Sequence, residues 1–323
     1  MNNGEKILTI GIPNYNYGKY LGRAVESALA TDRSDIEVIV ADNYSTDDSQ
    51  KIVQSIDDTR LRFFRHSANI GMHSNWNFIL NQARGKYIKM LPSDDWLEST
   101  FFTSFFELYE GGGNVDVFLL GYNKYIGNRD EPSRKTLPAG YGIFEPFYLE
   151  SSEQLGLKSL EFSMPTLNII NRELLLEVGG YAYETNMRGD SLAFASVLAS
   201  KPQLTIAPLN KHVAAIFTHG TNARRNYTPY EAFRDEVLYL RLLNTIRFEN
   251  GNAEILEAIN LNRAGALLYF PACFRKPRGR KMWWRFFKEL FSENLITLNL
   301  KAFMDLYAML SEKRKQAGST NSV

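Results

Sequence analysis

Two adjacent carboxylates, in Leu91-Pro92-Ser93-Asp94-Asp95-Trp96, directly follow the strand-like run at residues 87–91. Such a pair can give oxygen ligands to a hard divalent cation that completes its shell with diphosphate oxygens and water. The pair also suits hydrogen bonds to ribose hydroxyls. Equally, it could cap a helix starting near Leu97, where exposed N–H groups favour negative charge. A similar polar step, Asp42-Asn43, follows the run at residues 36–41. There a carboxylate and an amide could read the edge of a nucleobase, or simply turn the chain. Asn14-Tyr15 follows residues 7–12, and its ring could stack on the same base or shape a turn. Each signal alone is weak, but they recur at the ends of successive apolar runs, with Asn69 as a further member.

The pattern around these residues says what must hold them. Residues 7–12, 36–41, 61–64, 87–91 and 115–120 read as strands. Between them, residues 20–30 place Leu21, Ala24, Val25 and Ala28 at helical spacing. Ser45 with Asp48 has the form of a capping box, opening a helix to about residue 56. Further helices are expected over residues 74–83 and 97–109, the last with Leu97, Phe101, Phe105 and Leu108 on one face. Alternating strands and helices imply an α/β fold, with a mostly parallel sheet covered on both faces. Ligands of such sheets bind beyond the carboxyl ends of the strands, where these polar residues fall. Residues 121–180 read as loops and short strands, and residues 191–199 as a helix behind Asp190. Thr228-Pro229-Tyr230-Glu231 opens a helical C-terminal region, dividing the chain into 1–225 and 226–323.

Several classes are excluded. No G-x-G-x-x-G follows the first strand, and Gly18-Lys19 lacks the upstream glycine of a P-loop. One cysteine, Cys273, rules out an internal disulfide framework or a CxxC zinc cluster. A net charge of +1, from 37 basic and 36 acidic residues, removes whole-surface attraction to nucleic acid. No apolar run approaches the ~18 residues of a membrane span, so the expected location is cytoplasmic.

The runs Ile10-Gly11-Ile12-Pro13-Asn14-Tyr15-Asn16, Val40-Ala41-Asp42-Asn43-Tyr44-Ser45-Thr46-Asp47, Asn69-Ile70-Gly71 and Ala83-Arg84-Gly85-Lys86-Tyr87-Ile88, leading to Ser93-Asp94-Asp95, resemble a family 2 glycosyltransferase of the GT-A fold. The likeness covers residues 7–110 and continues more weakly through Val178-Gly179-Gly180-Tyr181 and Gly189-Asp190. It implies that Pro13, Asn14, Tyr15 and Asp42 hold the nucleobase of a nucleotide-diphosphate sugar, and that the segment from Asn69 through Gly71 to Asn75 lines its pocket. It further implies that Asp94 bonds the ribose or sugar, that Asp95 coordinates Mg²⁺ or Mn²⁺, and that Asp190 is the general base of an inverting transfer. Asp190 could instead cap the helix behind it. His219, in Phe217-Thr218-His219-Gly220, matches a region where similar enzymes place a histidine near the metal–diphosphate, and is otherwise a loop histidine. The pattern also departs from the family. Asn43 stands where an acid is usual, Tyr44 where a small residue is usual, Pro92 where many members carry an acid, and Gly189 where glutamate is common.

The expected activity is sugar transfer to a saccharide or lipid-linked saccharide during surface polysaccharide or glycoconjugate synthesis. One rival is a silent binding or scaffold protein of the same fold. Another is a sugar nucleotidyltransferase, which Pro13-Asn14-Tyr15-Asn16 disfavours because a Gly-rich basic loop belongs there. Residues 274–288 form a separate feature: Arg275, Lys276, Arg278, Arg280, Lys281, Arg285 and Lys288 alternate with Phe274, Trp283, Trp284, Phe286 and Phe287. That mixture suits an anionic membrane face, a solvated rim or, least well, single-stranded nucleic acid.

Overall fold

The computed structural model describes residues 5–126, 164–183, 185, 188–201 and 204–219, with isolated positions 235, 238, 239, 242 and 246. Four parallel strands form one half of an eight-stranded sheet: β1 (Lys6–Asn14), β2 (Ile36–Asp42), β3 (Leu61–Arg65) and β4 (Gly85–Met90). Every residue of β2 is buried, which explains its nearly continuous apolar run. The other half contains β5 (Trp96–Leu97), β6 (Val117–Ile126), β7 (Asn168–Asn171) and β8 (Ile206–Thr218). The spatial order is β3-β2-β1-β4-β7-β6-β8-β5. β7 runs antiparallel to both β4 and β6, β6 and β8 are parallel, and β5 is antiparallel to β8. The expected sheet is thus parallel in its first half and mixed in its second.

Two apolar layers cover the faces. Leu8, Ile10 and Ile12 of β1 point into one with α1 (Gly18–Leu29), α2 (Ser49–Gln54) and α4 (Phe101–Glu110). Ile39, Ala41, Ile88 and Met90 point into the other, against α3 (Met72–Gln82), α5 (Arg172–Glu177) and α6 (Gly189–Ala199). The alternation along each strand divides the residues between these layers.

Two local expectations change. Leu97 lies in β5 rather than in a helix, because Trp96 and Leu97 pair with Ala215 and Ala214 of β8. The helix after Ser45 starts only at Ser49, since the Ser45 hydroxyl donates to Asp42 instead of capping. The boundary at residue 225 and the basic–aromatic stretch 274–288 lie outside the described residues. Asp235, Leu238, Tyr239 and Leu242 are helical, and Tyr239 packs against Leu192 and Ala195 of α6. No helix among the described residues is long and apolar enough to cross a membrane.

Candidate active site

The ends of β1 and β2 meet in a buried polar knot. Asn14 Nδ2 donates to Asp42 Oδ1 (2.8 Å), as does the Ser45 hydroxyl, and Ser45 N donates to Asp42 Oδ2 (3.0 Å). Arg65, at the end of β3, adds an ion pair to Asp42 Oδ2 at 3.4 Å. Asp42 is therefore buried, and its carboxylate ties three strand ends together. Asn14 retains a buried acceptor, Oδ1, with no partner among the described residues. The Pro13 carbonyl accepts from Ser93 Oγ (2.6 Å), joining this knot to the loop that carries Asp94.

Aromatic side chains rim the knot. Tyr15 and Tyr44 are 46 % and 45 % exposed, unusual for large rings beside a buried core. Asn16 and Tyr44 hold left-handed φ values of 57° and 69°. For tyrosine that conformation costs about 1–2 kcal/mol. The Arg65 guanidinium lies 5.4 Å from the Tyr44 ring centre. Asn43 accepts from Ile70 N (2.8 Å) and donates to Asn69 Oδ1 (2.9 Å), while Asn69 Oδ1 also accepts from Gly71 N (2.9 Å). Gly71, at φ 89°, supplies the left-handed step that starts α3. Asn75, expected to line the nucleotide pocket, is buried, donates to Ala41 O (2.8 Å) and meets His66 Nε2 (2.9 Å).

Asp94 and Asp95 differ sharply despite being neighbours. Asp95 turns inward, its Oδ2 accepting from the Thr166 hydroxyl and its Oδ1 from Phe217 N (2.9 Å). Burial, with the Asp94 charge beside it, pushes the Asp95 carboxyl up to about 7, against the lowering pull of Thr166, Phe217 N–H and Lys89. Lys89 is fully buried and donates to Pro165 O (2.7 Å), and burial lowers its pKa well below that of an ordinary amine. Asp94 faces His219 instead, with Oδ2 3.1 Å from Nε2. The imidazole is enclosed by Tyr17, Tyr20 and Phe217, with ring centres 5.8, 4.5 and 5.2 Å away. Arg23 fixes the Asp94 backbone by donating to its carbonyl (3.2 Å) while stacking 3.6 Å over Trp96.

At 3.1 Å, Asp94 Oδ2 and His219 Nε2 are within direct hydrogen-bonding distance, and they are an oxygen and a nitrogen donor of the kinds that would hold a divalent cation. Among the described residues no group of three or more His, Cys, Asp or Glu side chains is arranged to hold a metal ion. Asp95, to which the resemblance gave the cation, has both oxygens engaged by protein groups. Asp190 lies in the first turn of α6, its Oδ1 accepting from Ser191 N (2.7 Å), while Arg188 takes the N-cap position. It is thus not the cap of that helix.

Sequence reading missed Ser45, Arg65 and Thr166. Arg65 could have been found by the strand-end rule that singled out Asn14 and Asp42. Thr166 carried no such signal, because its link to Asp95 spans 71 residues.

A sheet of this order, with acids and amides at the carboxyl ends of its parallel half, is the layout of GT-A enzymes. The model for "Glycosyl transferase family 2" matches residues 9–179, more than half of the 323-residue chain, and the chain belongs to that family. Chondroitin synthase of Escherichia coli is 43 % identical over 94 residues, 28 % of this chain and 14 % of that protein. Glycosyltransferase GlyG of Streptococcus pneumoniae serotype 4 is 28 % identical over 186 residues, covering 54 % of this chain and 60 % of its own. The chain thus spans less than two thirds of these relatives' lengths. The UDP complex of S. aureus TarS shares the fold at a TM-score of 0.70 and 17 % identity, over 96 % of this chain and 92 % of that one. Mannosyltransferase PcManGT of Pyrobaculum calidifontis, solved with GDP-Man and Mn²⁺, gives 0.55 at 15 % identity, over 97 % and 83 %.

Proposed function

We propose that this chain transfers a sugar from a nucleotide-diphosphate sugar to a hydroxyl of a saccharide or lipid-linked saccharide, with inversion, in bacterial polysaccharide or glycoconjugate synthesis. The observation that carries the reading is the Asp94–His219 pair, 3.1 Å apart, at the end of the parallel strands. These two side chains would hold Mg²⁺ or Mn²⁺, with Asp95 orienting the pair from behind. A bound cation there supplies charge neutralisation on the departing diphosphate.

The chain's own residues do the rest. Tyr15 and Tyr44 offer ring faces to the base. Asp190 takes the proton from the acceptor hydroxyl as its oxygen bonds to the anomeric carbon. The bond from that carbon to the diphosphate oxygen breaks on the opposite face, and the electron pair leaves with the nucleotide. A membrane-bound acceptor would be reached through residues 274–288 at an anionic surface.

Calorimetry of the protein with UDP, GDP and dTDP, with and without Mn²⁺, tests the donor site. One nucleotide should bind tightly only with metal, and Asp94→Asn should weaken that binding about 10–100-fold. Equal affinity with and without Mn²⁺ in both proteins removes the cation from Asp94. Loss of all nucleotide binding returns the chain to the silent-scaffold reading.

A further inference from the structure

Helix α3 clasps the segment that leads to Asp190. Asn77 grips the Tyr181 backbone twice: Tyr181 N donates to its Oδ1 (2.8 Å), and its Nδ2 donates to Tyr181 O (2.7 Å). About one turn earlier on α3 stands His73, also buried. Its Nδ1 lies 2.7 Å from Thr185 O. A carbonyl only accepts, so Nδ1 carries a proton and donates to it; in a neutral ring Nε2 is then a bare acceptor. Nε2 is buried without a partner among the described residues.

The imidazole is pressed against the start of α6. A Cβ placed on Gly189 would come within 2.6 Å of both Cε1 and Nε2 of His73, closer than real Cβ atoms approach anything. His73 also meets Trp76 edge-on at 5.6 Å, and Trp76 meets Tyr181 at 5.1 Å. One ring therefore touches the carbonyl of Thr185 and the residue immediately before Asp190. The same helix begins at Gly71, beside the Asn43–Asn69 bond at the strand ends.

We propose that His73 is a positioning residue for Asp190, acting through the Thr185 carbonyl and the bare Gly189 backbone to fix where α6 starts relative to the strand ends. The inference rests on Asp190 being the base. It makes Gly189 obligatory because the ring fills the space a side chain would need. It also requires a neutral ring protonated on Nδ1.

The test compares His73→Ala, His73→Asn, Gly189→Ala and the His73→Asn/Gly189→Ala double variant of the full chain. Asparagine can still donate to Thr185 O but lacks the ring's bulk. The readout is release of nucleoside diphosphate from UDP-glucose, UDP-N-acetylglucosamine and GDP-mannose with Mn²⁺. His73→Ala should lower kcat about tenfold or more with donor KM within about twofold, and His73→Asn should recover most of it. Gly189→Ala should fall similarly, and the double variant should exceed Gly189→Ala alone, a non-additive pair. Unchanged kcat in His73→Ala overturns the proposal, as does a joint fall of kcat and donor affinity that asparagine does not restore. Imidazole ¹⁵N shifts give a readout independent of turnover: an Nε2-protonated or doubly protonated His73 at neutral pH overturns it too. Asp190→Asn separates the two readings. If that variant still transfers, the base assignment fails; if it is dead while His73→Ala is active, only the positioning role fails.

Discussion

The two ends of the same parallel strands both hold a buried carboxylate. At the amino end, Glu37 accepts from Thr9 Oγ1 (2.8 Å) and Arg84 N (2.6 Å) and pairs with Arg62 (2.9 Å). At the carboxyl end, Asp42 is just as fully satisfied by Asn14, Ser45 and Arg65. What differs is the surroundings. Around Asp42 the backbone turns left-handed at Asn16 and Tyr44, two tyrosines stand out of the surface, and an amide oxygen has no partner among the described residues. Near Glu37 no non-glycine residue among the described ones has a positive φ. A satisfied buried acid is therefore a staple at either end. Backbone strain and exposed rings distinguish the carboxyl end from the amino end.

Substitutions can break or sharpen that contrast. The largest effect belongs to Asp190→Asn, which should cut transfer about 10²–10⁴-fold, with nucleotide affinity and melting temperature unchanged. Steady-state transfer beside calorimetry and thermal melts checks this. At the amino end the pattern should reverse. Glu37→Ala leaves Arg62 facing an uncompensated buried site and should cost about 3–5 kcal/mol in urea unfolding, with kcat per folded molecule intact. A drop in kcat at constant stability would erase the distinction between the ends.

Tyr44→Gly should act in both directions at once. Relief of the left-handed strain should stabilise the fold by about 1–2 kcal/mol. Loss of a stacking face should weaken nucleotide binding by about 1 kcal/mol or more. Melting and calorimetry on one sample show both, and a loss of stability would mean that the ring holds the turn.

The smallest effect concerns His73. Burial lowers its pKa below the ordinary 6.5, opposed by the Thr185 carbonyl and the Asp235 charge. Because the unfolded chain binds that proton more readily, the stability is present above about 6.5 and is lost as pH falls below it. His73→Asn should flatten this acid limb, read as melting temperature against pH. An unchanged limb would assign it to other groups.

Much of the first half was legible, because apolar runs with period two mark buried strands and the polar step after each run marks the ligand side. The second half was less so. β7 has four residues and β5 two, too short to show a period, and their antiparallel pairing is set by partners far along the chain. The identities of Asp94 and Asp95 were readable, yet which faces His219 was not: adjacent residues differ here only in side-chain direction. The Ser45–Asp48 spacing misled because Asp42, three residues before Ser45, competes for the hydroxyl. Nothing in the sequence marks His73, since its neighbours Thr185 and Gly189 lie more than a hundred residues away.

The Asp94–His219 contact joins residues 125 positions apart. A chain made from its amino end at about 5–20 residues per second therefore waits roughly 6–25 s between the two. By then β1 to β4 and helices α1 to α3 have all been synthesised. His219 is made only with the end of β8, as is Phe217, whose N–H donates to Asp95 Oδ1. The half of the sheet that carries Asn14, Asp42 and Asp94 is thus made well before the strand that completes the Asp94–His219 contact.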